Sequence, residues 1–197
     1  GKPLNSPNDI TCQRNGTVWF TDPPFGISGE WEGDAAEAQL PHALYRIDAQ
    51  SGELHQALTD IQGPNGLAFS PDESVLYLVE SRSKPHRKVW AYDVNAQGAL
   101  SNKRVVIDAQ GPGALDGIAV DTDGNIWCGW GSDGSVNAQP EQLDGVRVFA
   151  PDGTAIGHIH LPERCANLCF GGAKNNRLFM ASSHSLYAIY TNTRGAI

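Results

Sequence analysis

The stretch "GPNGLAFSPDESVLYLVES", residues 63–81, decides the fold. Leu67, Ala68 and Phe69 form one short apolar run, residues 70–74 a polar turn, and residues 75–79 a second apolar run that ends at Glu80. Two such runs, rich in aliphatic and aromatic side chains and divided by turn residues, read as an antiparallel β-hairpin; neither is long enough for a helix. Taken alone, the Pro64-Asn65-Gly66 step in front of it is turn chemistry, because Pro presets φ and Asn-Gly tolerates positive φ.

The pattern returns three times: as "PNDITCQRNGTVWFTD" (7–22), "LDGIAVDTDGNIWCGWG" (115–131) and "ANLCFGGAKNNRLFMASS" (166–183). The openings fall at Asn8, Asn65, Asp116 and Asn167, a period of roughly 50 residues with several short strands in each unit, which is propeller spacing. Between the copies lie further alternating runs such as "ALYRIDAQSGEL" and "KVWAYDVNAQGAL", which bring each unit to four antiparallel strands joined by hairpins. The expectation is a single all-β domain over 1–197, with blades near 8–64, 65–115, 116–166 and 167–197. The last blade ends early at "SLYAIYTNTRGAI", without an obvious outermost strand.

In such an array each opening Asn or Asp begins an innermost strand, so Asn8, Asn65, Asp116 and Asn167 converge on one axis. A turn needs only a permissive backbone. Asn167 keeps its oxygen-bearing side chain with no Gly after it, which favours a common task over a common turn. The second strand of each blade returns to the same face, placing Asp22, Glu80, Trp130 and His184 around the mouth. Asp121 and Asp123 in "DTDGN" belong to the hairpin turn at the opposite end and read as structural.

Composition excludes other classes. The chain of 197 residues carries 14 basic and 22 acidic residues for a net charge of −8, with no basic stripe, so nucleic acid is not expected as a partner. No apolar stretch approaches the roughly 20 residues that span a bilayer as a helix. Cys12, Cys128, Cys165 and Cys169 fit neither a disulfide framework nor a paired zinc motif; they read as free buried thiols, with Cys165 and Cys169 on one face of a strand. A reducing, cytoplasmic setting follows, or the periplasm or exterior if a leader has been removed. His158 and His160 in "HIH" read as strand positions rather than ligands. The acidic insert around Trp31 reads as a solvated loop or a lid.

"SPNDI…GTVWFTDPPFGI", "GPNGLAFSPDESVLYLVES", "LDGIAVDTDGNIW" and "NLCFGG…RLFMAS" together resemble the gluconolactonase and senescence-marker-protein-30 family of six-bladed propellers. The resemblance implies one divalent cation at the channel mouth, bound by a Glu near the N-terminus and by the residues matching Asn65 and Asp116. It implies that Asn8 touches the cation, its water or the substrate, that Asp22 lies in a pocket-lining region, and that Asp116 doubles as general base. Asn8, Asp22 and Asn167 are then the expected substrate contacts. Oxygen donors suit Ca²⁺ first, then Mg²⁺ or Mn²⁺, with Zn²⁺ a further candidate.

Six units of this size need roughly 300 residues, so the chain is expected to lack N-terminal blades together with the metal-binding Glu. The activity implied is metal-dependent opening of a small sugar lactone. Other lactones or phosphotriesters at the same site, or a non-catalytic propeller that binds calcium or a protein, are the alternatives.

Overall fold

The computed structural model describes residues 1–29 and 33–196; Trp31, the candidate lid residue, lies outside them. The chain forms four antiparallel sheets in sequence order. Strands β1 (Ile10–Cys12), β2 (Val18–Asp22), β3 (Ala43–Ile47) and β4 (Leu54–Leu58) make the first blade, and β5 (Pro64–Phe69), β6 (Val75–Glu80), β7 (Lys88–Val94) and β8 (Leu100–Asp108) the second. Strands β9 (Gly113–Val120), β10 (Ile126–Ser132), β11 (Gly145–Phe149) and β12 (Ala155–His160) make the third, and β13 (Cys165–Gly171), β14 (Arg177–Ser182) and β15 (Leu186–Tyr190) the fourth. A one-turn α-helix, α1 (Pro140–Leu143), interrupts the third blade, a 3-10 turn covers Phe25–Ile27, and no helix among the described residues is long and apolar enough to cross a membrane.

The two-residue period of β6 explains how the blades stack. Leu76 and Leu78 pack toward the first blade with Trp19, Leu44 and Ile61, whereas Tyr77 and Val79 pack toward the third with Leu115, Ile118 and Trp130. Both faces of the strand are therefore buried, which is why its sequence is continuously apolar rather than alternating. A third cluster, Val146 with Cys165, Leu168, Leu178 and Met180, joins the third blade to the fourth. Each fully buried side chain of this kind contributes about 1.5–3 kcal/mol, and the blades are held face to face mainly by these clusters.

The innermost strands β1, β5, β9 and β13 lie side by side and line a concave, mostly apolar cavity of about 590 Å³. At their upstream ends the register slips. Pro64 faces Glu80 but Leu67 faces Leu78, and Leu115 faces Trp130 but Ile118 faces Cys128. In each case Asn65-Gly66 or Asp116-Gly117 is a bulge of two residues against one, a device that re-aims side chains. Neither glycine takes a positive φ, so the Asn-Gly step is not the tight turn its sequence suggests. The glycines serve close approach instead. A Cβ on Gly66 would lie 2.5 Å from the Asp116 carbonyl oxygen and 2.8 Å from Gly117 Cα, and one on Gly117 would collide with the Asn167 side chain.

A similar bulge sits between Cys165 and Asn167 in β13. It shifts the face parity of the strand, so Cys165 is buried while Cys169 is exposed along the cavity, in place of the shared face expected from regular alternation. All four cysteines are free, Cys128 buried and Cys12 exposed. At the opposite end of the blades Asp121 is fully buried. Its Oδ1 accepts from the backbone N–H groups of Asp123 (3.0 Å) and Asn125 (2.9 Å), and its Oδ2 from the Asn125 amide (2.9 Å) and Trp127 Nε1 (3.0 Å). Every favourable lone-pair direction is used within the turn, which gives it the structural role read from "DTDGN".

Candidate functional site

Polar side chains from the bulges of β5, β9 and β13 meet one from the residue that precedes β1. Asp116, on β9, is the centre. Its Oδ2 accepts a 2.7 Å hydrogen bond from Arg164 Nη2, and the Asn65 amide from β5 stands farther off as a second favourable dipole. Burial raises the Asp116 carboxyl above its ordinary value; Arg164 and Asn65 oppose that, while the charge of Asp9 adds to it. Asp9, just before β1, is raised by burial as well and is held by the backbone N–H of Ile10 at 2.9 Å, with the Asn167 amide and the Leu67 N–H standing near. Asn167 turns its Oδ1 onto the Leu168 N–H at 2.7 Å, which leaves its amide nitrogen for the carboxylate side. Asp9, Asn65, Asp116 and Asn167 thus form one constellation at the head of the apolar cavity, which Asp9 and Asn167 themselves line and which starts at Leu67 and Ile118 on the other two strands.

The arrangement has clear chemistry. Two partly desolvated carboxylates, with the Asn65 amide beside Asp116, supply the hard donors that suit Ca²⁺, Mg²⁺ or Mn²⁺, while Asn167 presents its amide N–H to Asp9. Among the described residues no group of three or more His, Cys, Asp or Glu side chains clusters as a metal site; the donor set here depends on its amides. Like-charge proximity and burial both favour a species that neutralises Asp9 and Asp116 together.

The other expected site residues fall elsewhere. Asn8 is exposed; its backbone N–H donates to the Thr21 carbonyl at 2.9 Å, and it borders a small recess with Leu4, Pro7, Phe20 and the neighbouring Asp9. Asp22 is not on the rim. It is fully buried, and its two oxygens accept from the backbone N–H groups of Asn5 (2.9 Å) and Ser6 (2.8 Å), so it ties down the loop that enters the first blade. Glu80 repeats the device one blade on, accepting from Gln62 N–H and Trp90 Nε1 at 2.7 Å each. Trp130 is buried beneath Arg147, whose guanidinium carbon lies 4.8 Å from the ring centroid, and of the four expected rim residues only His184 is exposed.

Asp9 and Arg164 are the residues that sequence reasoning missed. Asp9 stood in plain view beside Asn8 in "PND", a second oxygen donor at the same opening. Arg164 had no such signal, since its contact with Asp116 spans 48 residues.

Comparison with known proteins places this geometry in context. Residues 1–184 match the family described as the SMP-30/gluconolactonase/LRE-like region. A gluconolactonase of Zymomonas mobilis is 34% identical over 99% of this chain, and the pentonolactonase XacC of Haloferax volcanii is 27% identical over 89%. The solved structure of a gluconolactonase from Xanthomonas campestris superimposes with a TM-score of 0.81 at 35% identity over 99% of the chain. The chain spans about half the length of these curated relatives (53% of each) and 59% of the Xanthomonas protein. By the extent of the match and by its blades, the chain belongs to the SMP-30/gluconolactonase/LRE-like family of β-propellers.

Proposed function

We propose that the protein of which this chain is part hydrolyses a small sugar lactone, with a divalent cation held between Asn65 and Asp116 and Asp116 acting as general base. The observation that carries the reading is the convergence of Asp9, Asn65, Asp116 and Asn167 at the heads of the four innermost strands, three of them bulged. The similarity to proteins named gluconolactonase and pentonolactonase supports the substrate class.

A cation bound there supplies Lewis acidity to the ring ester carbonyl and charge stabilisation for the oxyanion. Asp116 takes the proton from a water whose oxygen attacks the carbonyl carbon. The ring C–O bond then breaks, the leaving oxygen takes up the proton, and a hydroxy acid results. In the cation-free site Arg164 holds the Asp116 carboxylate, and Asn167 offers a polar group to sugar hydroxyls. The acyl step needs no protein nucleophile, and a G-x-S-x-G elbow is absent from the sequence.

The test is turnover of glucono-δ-lactone by the full-length protein, with and without a chelator, beside Asp116→Asn and Asn65→Ala. Chelation should abolish turnover and added Ca²⁺ or Mn²⁺ restore it, and Asp116→Asn should lower turnover about a hundredfold or more, the scale of general-base catalysis. Unchanged turnover in both variants would reject the assignment.

A further inference from the structure

Arg164 stands in the loop between β12 and β13 and reaches Asp116 across the mouth of the site. Its Nη2 lies 2.7 Å from Asp116 Oδ2, and its side chain keeps 39% of its surface exposed. Two features of the arm bear on its role. The aliphatic stem lies flat on β10 at Gly131, where a Cβ would sit 2.7 Å from Arg164 Cβ and 2.9 Å from Cδ, so only glycine leaves room for this path. The Nε atom is buried and finds no partner among the described residues, so the pairing with Asp116 is what holds the guanidinium inward. The adjacent Glu163 does not compete for it. Its carboxylate accepts from the His184 backbone N–H at 2.6 Å and from the Tyr187 hydroxyl at 3.0 Å.

We propose that Arg164 is an internal counter-ion for Asp116, which a divalent cation displaces on binding, and that this exchange sets the cation affinity of the axial site. The inference rests on the reading of Asp116 as a cation ligand. Both positive charges require the same carboxylate, and at contact distance from it they repel one another. Of the two, the arginine is the more easily moved: it is half exposed, it is anchored by a single ion pair, and it gains solvent for Nε when it swings out. The carboxylate therefore stays neutralised throughout, by the guanidinium before exchange and by the cation after it. A fixed carboxylate would instead carry the full cost of standing desolvated beside Asp9.

Isothermal titration of the full-length protein with Ca²⁺ and with Mn²⁺ tests this, using wild type, Arg164→Gln, Gly131→Ala and, as the ligand-loss control, Asp116→Asn. Arg164→Gln is expected to bind about tenfold tighter or more. Gly131→Ala keeps the charge in the chain but pushes the arm off β10, and it should shift affinity in the same direction; it decides the matter if circular dichroism shows that Arg164→Gln does not fold. Binding that is unchanged or weaker in the folded variants, while wild type binds, overturns the role of Arg164 and leaves the cation site standing. If neither wild type nor the variants bind either ion, the cation reading falls and this inference with it.

Discussion

Asp22 and Asp116 lie at the same end of the blades, and their surroundings give them different work. Asp22 is sealed, with both oxygens committed to backbone N–H groups. Asp22→Ala would leave two buried donors unpaired, and we expect a loss of about 1–3 kcal/mol in urea denaturation. Asp116 keeps part of its side chain open and pairs with an arginine that can return to water. Asp116→Asn should therefore change stability by no more than about 1 kcal/mol while removing turnover, a separation that denaturation and kinetics measured on one preparation would reveal. At this scale the sequence was partly legible. The recurrence of Asn or Asp picked out Asn65, Asp116 and Asn167, which do converge, yet it chose Asn8 over the neighbouring Asp9, because a repeat shows position and not the direction in which a side chain leaves the backbone.

The strands and hairpins were readable because short apolar runs, alternating in some strands and continuous in β6, are punctuated by turn residues. The bulges were not. A bulge and a tight turn both draw on Asn-Gly and Asp-Gly, and only pairing with the neighbouring strand tells them apart. The consequence is testable at Gly117, whose absent Cβ makes room for Asn167 on the adjacent blade. Gly117→Ala should cost about 1–3 kcal/mol by overpacking and should weaken the site as well, readable as a lower thermal midpoint together with reduced turnover per folded molecule.

A second element-level prediction concerns β12. Burial, with His160 at a ring-centroid distance of 3.9 Å and Arg147 nearby, brings His158 from its ordinary 6.5 down to about 4. The unfolded chain takes up this proton as the pH falls below 6.5, whereas the folded protein does so only near 4. Stability should thus decline as the pH is lowered through that window. Thermal midpoints measured between these limits should fall less steeply for His158→Phe than for wild type; parallel curves would show that the ring titrates freely.

For the whole molecule, the period near 50 residues announced blades, and face-to-face clusters of apolar side chains join them as that period requires. The long-range pairing of Arg164 with Asp116 had no counterpart in the sequence, because contacts between successive blades depend on how the sheets splay. The two end blades leave large apolar side chains exposed, Ile10 at 63%, Leu186 at 71% and Tyr190 at 75%. Residues 1–197 should bind a hydrophobic dye such as ANS, and Leu186→Lys should reduce that signal.

The central claim is that one cation joins the bulged heads of neighbouring blades, and anomalous diffraction from crystals of the full-length protein grown with Mn²⁺ tests it most directly. We predict a single strong peak within about 2.0–2.6 Å of oxygens of both Asn65 and Asp116, the range of hard-cation ligation. A peak bound elsewhere, with Asp116 still closed on Arg164, would contradict the account.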